Sequence, residues 1–90
     1  MQRAGQVTVE FYGIPRRRAG KESVTVAAGT VAELLSAVAR ELPQLGLFDA
    51  AGRMSAHYLL SLNGRRFISD PGQALAPGDQ VLILSADVGG

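Results

Sequence analysis

Thr30-Val31-Ala32-Glu33-Leu34-Leu35-Ser36-Ala37-Val38-Ala39-Arg40-Glu41-Leu42-Pro43 is the stretch on which the fold turns. Thr30 and Glu33 have the spacing of a capping box: the hydroxyl covers the amide of Glu33, and the carboxylate reaches back to the amide of Thr30. Behind it, Val31, Leu34, Leu35, Val38 and Leu42 fall on one stripe of an α-helix. Pro43 drives Leu42 out of helical dihedrals and stops the helix there. The result is one amphipathic helix of about three and a half turns.

The flanking sequence supplies strands for that stripe to pack on. Upstream, Gln6 to Tyr12 alternates, with Val7, Val9 and Phe11 on one side and Thr8, Glu10 and Tyr12 on the other. Gly13-Ile14-Pro15 breaks the strand, and Arg16 to Gly20 is expected to continue as a loop. Lys21 to Ala27 resumes as a strand and closes an antiparallel hairpin. Downstream, 44–56 is expected to be a loop with at most one helical turn, pinned to the core by Leu45, Leu47 and Phe48. A strand follows over His57 to Leu62. Asn63-Gly64 is the strongest short-range hairpin signal, because both residues tolerate positive φ, and Arg65 to Ile68 is the short return strand. Pro77-Gly78-Asp79 turns the chain into a last strand, Gln80 to Ser85.

A single helix on one face of a mixed sheet buries both apolar surfaces in one core. A right-handed crossover through the helix places the first and last strands side by side and parallel. The expected fold is therefore α+β, a ubiquitin-like β-grasp with a mixed sheet of four to five strands. It forms one domain over 1–90, with 85–90 as a tail that ends Gly89-Gly90.

Composition bounds the function. The net charge of +1 points to neither nucleic acid nor an acidic membrane surface as partner. The absence of cysteine excludes disulfides, a thiolate nucleophile and a Cys-based metal site. No apolar run approaches the roughly 20 residues that span a bilayer. Met1 to Gly5 lacks the apolar segment of a signal peptide, so a cytoplasmic protein is expected. The tail carries the group of greatest chemical interest. Glycine lets backbone enter a narrow channel and approach another surface closely, which makes the carboxylate of Gly90 the candidate reacting group.

Val9-Glu10-Phe11-Tyr12-Gly13, Thr30-Val31-Ala32-Glu33-Leu34, Leu62-Asn63-Gly64 and Pro77-Gly78-Asp79-Gln80-Val81, running to Gly89-Gly90, resemble the MoaD/ThiS-like sulfur carriers. That family comprises the molybdopterin-synthase small subunits and the thiamine sulfur carriers. The resemblance covers essentially everything after residue 6. It implies a carrier rather than an enzyme, although in the molybdopterin branch the carrier is the small subunit of a catalytic complex. It implies no bound cofactor, with ATP used by a ubiquitin-activating-type adenylyltransferase to adenylate Gly90. A sulfur donor then converts the adenylate to a thiocarboxylate, which passes to an acceptor enzyme such as a molybdopterin synthase large subunit. Gly89 is the required neighbour of Gly90, and Asp87 and Val88 line the channel mouth. Ser85-Ala86 stands where the molybdopterin subunits often carry Pro-Pro, while the length and the Asn63-Gly64 hairpin favour that branch over the thiamine carriers.

A docking face follows from parity in the last strand. If Val81 and Ile83 pack under the helix, Leu82 and Leu84 lie on the open face, with Tyr12 on the same side of the neighbouring strand. An apolar cluster on an uncovered sheet marks a binding surface; the competing expectation is that loop 44–56 folds over it. By resemblance, Tyr12 and Leu84 match partner-contacting positions, Arg66 falls near another, and Arg16 matches an arginine that suggests a docking salt bridge. From the residues alone, Arg16-Arg17-Arg18 reads as solvated charge at a hairpin tip, and His57 as a structural residue. Rival functions remain: a protein modifier joined through Gly90 to lysines, a sulfur donor for thiamine or another sulfur-containing metabolite, and a β-grasp interaction domain whose glycines are incidental.

Overall fold

Order along the chain is strand, short helix, strand, long helix, then three strands. The computed structural model describes residues 5–86. β1 is Gln6–Phe11, α1 Ile14–Ala19, β2 Ser23–Ala27 and α2 Val31–Glu41. A 3₁₀ turn, Pro43–Leu45, precedes β3 (Tyr58–Leu62), β4 (Arg66–Ile68) and β5 (Gln80–Ser85). The strands form a five-stranded sheet in the order β2-β1-β5-β3-β4. β1 pairs parallel with β5 and antiparallel with β2. The expected β-grasp is the fold observed.

α2 obeys the pattern that predicts it. Thr30 is extended, and its hydroxyl accepts from the amide of Glu33 at 3.3 Å. The reciprocal bond differs from the expected one: Glu33 Oε1 accepts from the amide of Gly29 at 2.7 Å, not from that of Thr30. A bridge between Thr30 and Ala74 holds the backbone on either side of the cap, with Val31 N–H donating to Gln73 and Leu75 N–H to Gly29. The donor left facing the carboxylate is that of Gly29. Leu42 ends the helix at φ −130°, ψ 67°, outside the α region as Pro43 requires.

The expected loop after β1 is instead the helix α1. Gly13, at φ 65°, turns the chain, and Pro15 occupies the first turn, where a missing N–H costs nothing. Gly20, in the left-handed region, closes the last turn with its amide donating to Arg16. The Pro and Gly that read as breakers are the boundaries of a helix. Pro15 and Ala19 are buried, and three arginines occupy the last turn, where the helix end is negative.

The core lies between α2 and one face of the sheet. Val7, Val9 and Phe11 from β1, Leu60 from β3, and Val81 and Ile83 from β5 meet Val31, Leu34 and Val38 of α2, all essentially inaccessible to solvent. Leu45 and Leu47 join them as expected. Phe48 does not: it stays partly exposed, paired with Met54 across an isolated bridge. Asn63 and Gly64 take φ of 55° and 67°, the doubly positive turn that the dipeptide predicts.

Candidate functional site

β5 is bounded on one side by β1 and on the other by β3, so it is the central strand of the sheet. Ser85 is its last residue, and the amide of Ala86 still donates to the carbonyl of His57 at 2.8 Å. Backbone pairing thus reaches two residues into the expected tail. Asp87, Val88, Gly89 and Gly90, four of the sequence-derived site residues, lie outside the described residues.

The faces of β5 separate as parity predicts. Val81 and Ile83 are fully buried, and Leu82 and Leu84 are half-buried on the opposite face. Register assigns their neighbours: Leu82 lies between Glu10 and Ser61, Leu84 opposite Leu59, and Ser61 opposite Phe67. Leu59, Phe67, Leu82 and Leu84 therefore share one face of β3, β4 and β5, flanked on β1 by the polar Thr8 and Glu10. Phe67 is 69% exposed and Leu59 39%. A phenylalanine that exposed contributes little to the core, and its cost in water is offset when a partner covers it.

Leu59 and Phe67 are the residues that the sequence reading missed. A three-residue strand such as β4 is too short to reveal its parity, and the position of Phe67 follows only once the Asn63-Gly64 turn fixes the register. Loop 44–56 does not cover this face. Leu45 and Leu47 enter the core, and Phe48, Gly52, Arg53 and Met54 line a groove of about 500 Å³ against Val31 and Leu35 of α2, on the opposite side of the sheet. Arg66 is exposed at the edge, out of phase with Phe67.

Tyr12 follows β1 immediately and is exposed. Its hydroxyl donates to Glu10 at 3.1 Å, and its amide to Ile83 at 3.0 Å. The hydrogen bond to the carboxylate, together with that group's negative charge, raises the phenol pKa above its ordinary value, while Arg16 acts weakly the other way. Arg16 forms an ion pair with Glu22 at 2.5 Å. Arg18 donates to the hydroxyl of Tyr58 at 3.0 Å, and that hydroxyl donates to the carbonyl of Leu45. Reading the three arginines as solvated charge is thus corrected for one of them: Arg18 ties α1 to β3 through Tyr58, whereas Arg16 stays exposed in its ion pair with Glu22, outside the strands.

No group of three or more His, Asp or Glu among the described residues is placed to hold a metal ion. No helix among them is long and apolar enough to cross a membrane.

Solved structures provide the comparison. SAMP1 from Haloferax volcanii superposes with a TM-score of 0.84 at 25% identity, covering 96% of this chain and 100% of that one. CysO from Mycobacterium tuberculosis gives 0.73 at 25% identity, covering 90% and 99%. The complex of subunits 1 and 2 of the molybdopterin-converting factor from Helicobacter pylori gives 0.64 at 25%, covering 94% and 99%. This chain is similar in structure to the MoaD/ThiS-like proteins. The resemblance read from the sequence thus meets neighbours that include a small archaeal modifier protein and a molybdopterin-converting factor, and the likeness of fold covers nearly the whole chain. A scan of protein-family profiles gives no match, and neither does a search of curated proteins.

Proposed function

We propose that this chain is a sulfur carrier whose working group is the carboxylate of Gly90. A free α-carboxylate has a pKa of about 3.5 and is anionic at neutral pH, so it resists nucleophiles. In the proposed reaction, a carboxylate oxygen attacks the α-phosphorus of ATP on a ubiquitin-activating-type adenylyltransferase, and pyrophosphate leaves. A sulfide-level donor then attacks the acyl carbon: the C–S bond forms, the C–O bond to AMP breaks, and Gly90 ends as a thiocarboxylate. The chain holds no cofactor of its own; ATP belongs to the activating enzyme.

The observation that carries this reading is the placement of β5. A MoaD/ThiS-like strand at the centre of the sheet runs toward Gly89-Gly90, beside a face where Leu59, Phe67, Leu82 and Leu84 are left for a partner. Such a carrier docks through that face, with Tyr12 at its border, Arg16 near it, and Asp87 and Val88 leading into the partner's channel. The H. pylori neighbour is itself a complex of two subunits, which supports a sulfur-accepting partner of the same kind and a role in molybdopterin synthesis. Deleting Gly90 tests the proposal: activation by ATP should be lost while the thermal melting of the fold is unchanged. Full activation of the shortened chain would refute it.

A second reading, conjugation of Gly90 to protein lysines, is favoured by the likeness to SAMP1, a small archaeal modifier protein. The same adenylate serves both fates. A ladder of higher-mass conjugates in cell extract, absent when Gly90 is deleted, would distinguish it.

A further inference from the structure

A second feature lies at the end of β5. Ile14, Arg18, His57, Tyr58 and Ser85 enclose a notch of about 120 Å³. In register, Ser85 faces Tyr58, one step beyond the Leu84 and Leu59 pair and therefore on the opposite, helix-covered face, so the notch lies at the same end of β5 as the apolar stripe but on the other side of the sheet. Its volume suits a single side-chain head group and is well below the 300 Å³ or so of the smallest cofactor sites.

Arg18 sets the chemistry of this notch. A guanidinium has five N–H donors, and Arg18 commits Nη1 to the hydroxyl of Tyr58. Tyr58 in turn donates to the carbonyl of Leu45 and is buried, so the guanidinium rests on a fixed acceptor. Among the described residues, Arg16 is neutralised by Glu22, whereas no carboxylate stands within ion-pair distance of Arg18. A planar donor array held in one orientation loses less entropy when it meets a carboxylate, and its geometry favours paired N–H···O bonds.

We propose that this notch receives an acidic side chain of the activating enzyme, with Arg18 as the residue that pairs with it. The inference rests on the carrier reading above and adds to it the chemistry of the partner's surface: an apolar patch for Leu59, Phe67, Leu82 and Leu84, and an Asp or Glu that reaches round the end of β5, past Ser85, to the α1 side of the sheet. Tyr58 is a positioning residue that holds the guanidinium.

The test is ATP–pyrophosphate exchange by the ubiquitin-activating-type adenylyltransferase of the same organism, with the full-length carrier as the varied substrate. Arg18→Gln should raise KM for the carrier about fivefold at unchanged kcat. The intact carrier should show a fall of kcat/KM with rising ionic strength, and Arg18→Gln should flatten it. Arg18→Lys should restore the salt dependence and part of the affinity. Tyr58→Phe retains the charge and should retain the salt dependence. Wild-type KM and salt dependence in Arg18→Gln would overturn the inference alone. A melting temperature lowered in Arg18→Gln in step with the rise in KM would do the same, because Arg18 would then act through the fold. Absence of exchange with the wild-type carrier would bring down the carrier reading, and this inference with it.

Discussion

The side-chain amide of Asn63 bridges to Asp79, donating from Nδ2 to Oδ1 at 3.2 Å. Asn63 Oδ1 also accepts from the amide of Gln80 at 2.8 Å, and Asp79 Oδ2 accepts from the amide of Ala76 at 2.8 Å. The turn between β3 and β4 is thereby tied to the turn that opens β5. Asn63 meets two demands at once: it accepts a positive φ, and its side chain spans the two turns. Asn63→Gly keeps the backbone conformation and loses the ties, so it should cost about 1 kcal/mol in urea denaturation. Asn63→Ala adds strain at φ 55° and should cost about 2–3 kcal/mol. Equal costs for the two would argue that backbone strain has no part.

The open face makes the opposite kind of prediction. Phe67→Ala and Leu59→Ala remove exposed surface, so stability should stay within about 0.5 kcal/mol of wild type. Affinity for the activating or acceptor enzyme, measured by calorimetry, should fall at least about tenfold for Phe67→Ala, as for a buried aromatic anchor. A variant that melts early but binds normally would make Phe67 a structural residue.

Tyr12 should report its neighbour when titrated. The bond to Glu10 favours the neutral phenol, so its NMR-detected midpoint should lie above the ordinary tyrosine value of about 10. Glu10→Gln should lower it. Because the folded pKa lies above the unfolded one, the associated stability is present below pH about 10 and is lost as the pH rises through the folded midpoint. A midpoint that does not move in Glu10→Gln would remove that carboxylate as the cause.

Capping and packing of α2 can be separated by mutation. Thr30→Ala removes the hydroxyl that accepts from Glu33 and should cost about 1 kcal/mol. Leu34→Ala opens a cavity at a fully buried position and should cost about 2–5 kcal/mol. Both effects are read from denaturant midpoints at constant m-value.

These particulars show what the sequence makes legible. The β-grasp was readable because α2 carries a cap, a stripe and a proline stop in one run, and because β1 and β5 alternate cleanly. α1 was not, since six residues are too few for a periodicity, and its Gly and Pro signal both breaks and helix ends. Leu82 and Leu84 could be placed by parity within a six-residue strand. Leu59 and Phe67 depend on pairing between strands, and the Arg18–Tyr58 bond joins residues 40 positions apart. No local pattern encodes such a contact.

The central claim concerns the acyl carbon of Gly90. Purified carrier, incubated with ATP, the activating enzyme and a sulfide donor, should gain the mass of one oxygen replaced by one sulfur, and fragmentation should place it on Gly90. An unchanged mass with an active enzyme, or sulfur found on any other residue, would contradict the account.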